Sequence, residues 1–491
     1  MFIPTIGLEI HAELKTASKM FCSCKNDPDK KKPNINVCPI CLAHPGPLPT
    51  INKLAVISVI RLGLAIGGTI APKSHFDRKS YFYPDLPKGY QISQYENPLV
   101  SGGILKGIRI TRVHLEEDTG KLIHSDDNSS LVDYNRAGIP LMELVTEPDI
   151  KNAEEAVAFA RELQLILRYL EISDADMEKG QMRVEANISV RKLEEDEFGL
   201  KQSDKLSGRA GSSKPVLGTK VEVKNLNSFE AVYNAIEYEL KRQERHILEG
   251  ENVKQETRGW NDKKRITESQ RSKESAHDYR YFSEPDLPEI TTDYFDLEKI
   301  KLSIPELPEE KRHRLTREYG VSRKNVELLI GDKQMADYFE HAMSELKERV
   351  KEGNTQTLFN YLTSDIRGLM NVKNIRFSEI KISPEHFAHL IALISDGKLS
   401  SRLAKNLLLK MFETGEDPET LARDGGVRVI SNEDELLAVV KEVLQAQTKV
   451  VDDYKKGKTN ALQFLIGQGM AKTKGKADPD VLRGLFEKQL K

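Results

Sequence analysis

The feature that most restricts the fold is the stretch from Gln181 to Arg191, where apolar and polar residues alternate without interruption. Met182, Val184, Ala186, Ile188 and Val190 fall on one side of an extended chain, and Arg183, Glu185, Asn187, Ser189 and Arg191 on the other. A two-residue period does not suit a helix; it calls for a sheet whose apolar face is covered by a second layer. The same period governs Ile6 to Leu14, where Ile6, Leu8, Ile10, Ala12 and Leu14 oppose Glu9, His11 and Glu13. A third run sets Val221 and Val223 against Lys220, Glu222 and Lys224, and a polar turn is expected at 225–228.

Helices to cover such a sheet are also legible. Asn152 can cap a helix with Glu155 in the capping-box position, and Ala156, Phe159, Leu163, Ile166 and Leu167 form its apolar stripe. A second helix is expected from near Ser228 to Gly250. The most apolar internal stretch, Leu54 to Ile70, is short for a bilayer crossing and carries Arg61, which predicts a buried helix. Residues 194–218 are Glu-rich, then rich in Ser, Gly and Lys, and predict a mobile surface loop. Up to about residue 290 the pattern is α+β; beyond it helical periodicity dominates. Pro305 and Pro308 mark one boundary, and the stretch from Gly415 to Asp424 a second.

At 491 residues there is room for several domains with cores of their own. Lysine and arginine total 74 against 76 aspartates and glutamates, so a nucleic-acid surface must come from local clustering. Glu9, His11 and Glu13 interrupt the apolar run that an export signal at Met1 to Lys15 would need, so a soluble cytoplasmic protein is expected. All four cysteines lie between residues 22 and 41. Cys22 and Cys24 form one close pair and Cys38 and Cys41 another, a spacing that lets four thiolates converge on tetrahedral zinc. Such a closed site would be structural; the alternative is four reduced, buried thiols.

The polar strand faces carry the chemistry. Carboxylates, an imidazole, arginines and lysines together supply hard ligands for magnesium and cations for the charge that builds in phosphoryl transfer. Their bland alternative is the solvated side of half-buried antiparallel strands. His114 to Lys121 adds the consecutive acids Glu116, Glu117 and Asp118. No Walker-type phosphate loop and no Gly-x-Gly-x-x-Gly opening a helix occurs, so an ATP site here must be of another kind.

Several long motifs, in order, resemble the GatB family: Ile6 to Leu14, Asp77 to Gln94, His114 to Lys121, Asp133 to Glu143, the strand ending at Arg191, Glu222 to Phe229, Arg271 to Asp286, and Asp452 to Asp480. The resemblance runs essentially end to end. It implies an α+β cradle with the kinase site at 1–293, a helical domain at 294–412, and a small YqeY-like helical tail at 413–491 that engages tRNA. It implies ATP-dependent phosphorylation of the side-chain carboxylate of Glu-tRNA(Gln) or Asp-tRNA(Asn). Ammonia, released from glutamine by a GatA-type amidase subunit in a heterotrimer with a GatC-type subunit, then displaces phosphate. Carried over residue by residue, Glu9, His11 and an acid from Glu116 or Glu117, with Glu117 preferred, are expected to hold magnesium. Arg183, Lys79 and Lys88 are expected at phosphate or substrate carboxylate, and Lys472, Lys474 and Lys476 at tRNA.

Three departures stand out. The 194–218 loop is longer than usual, Ser283 replaces a common proline, and Glu185 stands where aspartate is expected, one methylene further out, which suggests action through water. The absence of a large inserted domain before the tail fits the bacterial or organellar type. Two rival functions are a free-standing carboxylate-amine ligase, which would not need a basic tail, and a zinc-stabilised tRNA-binding scaffold without catalysis.

Overall fold

The computed structural model describes all residues except 125–128, 194–216, 273–278, 351–353, 425–432, 456–459, 474–476, 478 and 491. Most of the expected 194–218 loop therefore lies outside the described residues. The chain divides into two compact units, Met1–Pro308 and Glu309–Lys491.

The first unit is built on one large sheet. From one edge its strands run Ile266–Ser272, Glu256–Asn261, Val221–Leu226, Met182–Lys192, Phe2–Glu13, Pro140–Thr146, Ile108–Glu117, Val100–Ser101 and Thr69–Ile70. The pairings are antiparallel except between Val221–Leu226 and Glu256–Asn261. The alternating residues behave as the pattern requires: Ile6, Leu8, Ile10, Ala12 and Leu14, and Met182 through Val190 at every second position, are buried. Each such aliphatic side chain contributes about 1.5–3 kcal/mol by leaving water. The third run goes further than expected. Asn225 does not open a turn but takes a left-handed conformation (φ 67°) at a bulge, and the strand continues to the buried Leu226.

Two helices, Ala153–Tyr169 and Phe229–Leu248, pack on one another and on the apolar face of the sheet. Asn152 caps the first through the Glu155 amide (2.8 Å), and Glu155 reaches back to the Lys151 amide rather than to that of Asn152. Ser228 caps the second through Ala231. Lys53–Ala65, within the apolar stretch, is a third helix whose Val56, Val59 and Ile60 join the same core. No helix among the described residues is long and apolar enough to cross a membrane. The helices leave the opposite face of the sheet to its polar residues. A small sheet of Phe282–Ser283, Asp77–Ser80 and Tyr90–Ser93 packs beside the Ile108–Glu117 strand.

The second unit is helical among its described residues. Phe339 of Lys333–Arg349 and Phe387 of Pro384–Ser395 are fully buried there. Leu436, Val440, Leu465, Leu482 and Phe486 form a separate apolar core among the helices Glu433–Ala446, Asn460–Lys472 and Pro479–Leu490. The expected α+β part followed by helices is thus what the chain adopts.

Candidate active site

Sheet register decides which polar residues meet. His114 lies opposite Glu143, Glu143 opposite His11, and His11 opposite Arg183, while Glu9 faces Glu185. His11 Nε2 stands 3.3 Å from Glu143 Oε2, 3.5 Å from Glu116 Oε1 and 3.8 Å from Glu9 Oε1. His114 Nε2 lies 3.5 Å from the same Glu143 oxygen. Ligand atoms of Glu9, His11 and Glu143 fall within 4.8 Å of one another, as do those of His114, Glu116 and Glu143. Ligands at about 2.1 Å from an octahedral magnesium ion are about 3.0 Å apart when adjacent and about 4.2 Å when opposite, so these donors fit such an ion.

The electrostatics show a shortage of positive charge. Burial favours neutral His11, but the Glu143 hydrogen bond and the charges of Glu143, Glu116 and Glu185 outweigh it and raise its pKa to about 9. Burial and the neighbouring Glu143 push Glu116 up to about 7, and raise Glu9 as well. His114 is lowered by burial to about 4 and is a neutral ring whose Nδ1 has no hydrogen-bond partner among the described residues. Burial also works against the Glu143 carboxylate, yet the flanking imidazoles and Lys79 hold it below the ordinary range. A face with so many buried carboxylates attracts a cation, either a proton on His11 or a metal ion.

Glu117 does not join this group. Strand alternation sends it to the other side from Glu116, where Lys88 holds its carboxylate at 2.6 Å and the Ile92 amide donates at 3.0 Å. The expected trio of Glu9, His11 and Glu117 is therefore not brought together: the donors that gather are Glu9, His11 and Glu143, and beside them His114, Glu116 and Glu143, while Lys88 is bound to Glu117 away from the cluster. A cavity of about 310 Å³ separates that pair from the cysteine loop.

Arg183 faces the cluster but is held by Asp118 (2.5 Å), which also lies 3.6 Å from Arg136. Beside them, burial and Asp118 raise the Glu13 carboxyl to about 8. Glu185 pairs with Lys224 at 2.8 Å. Lys79 lies over the Tyr279 ring (4.9 Å), with its ammonium stabilised, against burial, by Glu116, Tyr281 and Glu143. It borders a cleft of about 770 Å³ that Tyr81, Phe82, Thr119, Lys224 and Arg280 also line. Of the tyrosines in this region, Tyr95 packs within its own domain, stacked on Tyr281 at 4.2 Å.

Sequence reasoning gives Glu143 and His114 no individual role, and names Asp118 only as one of three consecutive acids. A signal for Glu143 existed: it is the lone charge within Pro140–Thr146, an otherwise almost wholly apolar strand.

The cysteines converge as their spacing predicts, with all four sulfurs within 4.8 Å of one another. Cys38 and Cys41 Sγ are 3.8 Å apart, the edge length of a tetrahedron with zinc–sulfur bonds of about 2.3 Å. The Cys41 thiol is held down at about 5, first by the Cys22 thiol, then against burial by the Cys38 amide and Lys19. In the tail, Lys472 pairs with Glu442 (2.6 Å), while Lys474 and Lys476 lie outside the described residues.

A mixed sheet backed by helices, with one polar face gathering carboxylates around an imidazole, defines an α+β domain, here followed by a helical unit. The chain belongs to the GatB family: the model of the GatB/GatE catalytic domain matches residues 4–296, and that of the GatB domain matches 337–490. It is 45% identical over 494 residues to the B subunit of the aspartyl/glutamyl-tRNA(Asn/Gln) amidotransferase of Thermoanaerobacter pseudethanolicus, covering 99% of this chain and 98% of the relative. The protein of the same name from Dehalococcoides mccartyi is 44% identical over 501 residues, with 99% and 98% covered. That from Persephonella marina is 42% identical over 500 residues and covers both chains fully.

Proposed function

We propose that this chain is the B subunit of a tRNA-dependent amidotransferase and that its polar sheet face performs the ATP-dependent activation step. The substrate is the side-chain carboxylate of Glu-tRNA(Gln), Asp-tRNA(Asn) or both. A carboxylate resists ammonia because the leaving group would be oxide; phosphorylation turns it into an acyl phosphate with a good leaving group. Ammonia from glutamine, hydrolysed in a GatA-type amidase subunit, then gives the amide, and a small GatC-type subunit completes the assembly. We also propose three working domains at 1–293, 294–412 and 413–491, the last engaging tRNA through Lys472, Lys474 and Lys476.

The observation that carries this reading is the gathering of Glu9, Glu116 and Glu143 around His11, with Lys79 alongside, inside the region matched to the family's catalytic domain. Bound magnesium would draw charge from the nucleotide's terminal phosphates and leave the γ-phosphorus open to attack. Glu9, His11 and Glu143 would hold that ion, with Glu116 beside them. Lys79 and Lys224, bordering the same cleft, place positive charge where the transferred phosphoryl group and substrate carboxylate meet. Asp118 orients the Arg183 guanidinium toward the same face, and Glu185 acts through Lys224.

The test is ATP turnover by the reconstituted complex with glutamine and Glu-tRNA(Gln), Asp-tRNA(Asn) or neither. Turnover that requires a mischarged tRNA and vanishes in Glu9→Gln and His11→Ala, with tRNA binding retained, is the expected result. Turnover without tRNA would favour a free-standing ligase; variants with intact activity would favour a scaffold.

A further inference from the structure

Among the described residues Lys19 is the largest charged side chain that is fully buried, at 0% exposure. Its ammonium donates to the Tyr134 carbonyl at 3.1 Å and to Cys41 Sγ at 3.8 Å, and no carboxylate pairs with it among the described residues. Gly138 packs against both residues. Its φ of 85° disfavours any side chain, and a Cβ there would stand 3.6 Å from both Lys19 Cδ and Cys41 Cβ. The Lys19 backbone belongs to the same loop, since its amide donates to the Cys24 carbonyl at 2.9 Å.

Burying an unpaired ammonium is unfavourable by several kcal/mol, so a position this deep calls for an anion. The sulfur cluster presents the complementary problem. Zinc with four thiolates carries a net charge of minus two, and on its inner side, where Cys22 and Cys41 are buried, N–H donors or cations must balance it. The Cys38 amide donates to Cys41 Sγ at 3.1 Å, a partial remedy. We propose that Lys19 is the charge-balancing partner of a zinc tetrathiolate at Cys22, Cys24, Cys38 and Cys41, acting on Cys41 through an N–H···S contact. This rests on reading the cysteines as a zinc site. It assigns Lys19 a positioning role: its ammonium, 3.8 Å from Cys41 Sγ, balances the charge of the sulfur cluster and retains the metal.

The experiment compares full-length wild type, Lys19→Met and Lys19→Arg. Zinc content is measured first, then the rate of release to a chromogenic chelator, then the spectrum of the cobalt-substituted chain. Wild type and Lys19→Arg should hold one zinc per chain, and Lys19→Met should release it about 10–100-fold faster. Loss of the N–H···S contact raises the sulfur lone-pair energy, so the thiolate-to-cobalt charge-transfer band should move to longer wavelength in Lys19→Met alone. Wild type without tightly held metal would remove the zinc reading itself. Metal-loaded wild type with unchanged release and spectrum in Lys19→Met would overturn only the role of Lys19, as would equal loss in Lys19→Arg. If Lys19→Met does not fold, Lys19→Met/Cys24→His decides, because an imidazole removes one negative charge from the site. Recovery of folded, zinc-loaded chain supports charge balance, and continued failure assigns Lys19 to packing.

Discussion

The first unit offers two places for a cation, built on opposite plans. The cysteine loop collects its donors from residues 22 to 41 of one segment, soft thiolates grouped by short spacing. The sheet face collects hard donors from strands far apart in sequence, at Glu9 and His11, at His114 and Glu116, and at Glu143. A loop site is a property of local sequence, whereas a sheet site is a property of register. Shifting one strand by a single residue would turn Glu143 into the core and destroy the second site while leaving the first intact.

The sharpest way to break this comparison is Glu143→Gln. Phosphoryl transfer by the assembled enzyme should fall about a hundred- to a thousandfold, with zinc content unchanged. Single-turnover ATP hydrolysis together with metal analysis checks both halves, and parallel loss of zinc would mean the two sites are one structural unit. Next comes Glu117→Gln, which strips the partner from the largely buried Lys88. Denaturant titration should show a loss of about 3 kcal/mol, while Mn²⁺ affinity at the sheet face stays within about threefold. A large fall in Mn²⁺ affinity would return Glu117 to the metal cluster.

A pH series separates the sites more finely. On the sheet face Glu116 holds a proton below about 7 and His11 below about 9, and a metal ion must displace both. Mn²⁺ affinity should therefore rise with pH, about tenfold per unit for each proton displaced, and level off only above about pH 9. Affinity that is flat from pH 6 to 9 would contradict the assigned environments. The smallest effect is expected from Asn152→Ala, which removes a helix cap behind the sheet. Thermal unfolding should report about 1 kcal/mol lost, with metal binding at both sites unaltered.

Particular residues show where sequence reasoning stopped. Alternation identified Glu9 and His11, since a period of two places each residue on a face without knowledge of its neighbours. It also required Glu116 and Glu117 to face opposite ways, but not which of them shares the face of His11. Pairing of Pro140–Thr146 between the two strands settled that question and introduced Glu143. Resemblance places Lys88 at phosphate or substrate carboxylate, but a lysine's reach cannot be read from its position, and in the tertiary fold its ammonium meets Glu117.

By itself, then, the chain's order of residues determined the sheet with one apolar face, the capped helices that cover it, the thiol quartet and the membership in a family. These follow from local periods, spacings and motifs. Only the tertiary structure decided which carboxylates surround His11, that Glu117 stands apart, and that a buried ammonium reaches Cys41. Those contacts join segments separated by from about twenty to more than a hundred residues, and only the packed register sets the distances between them.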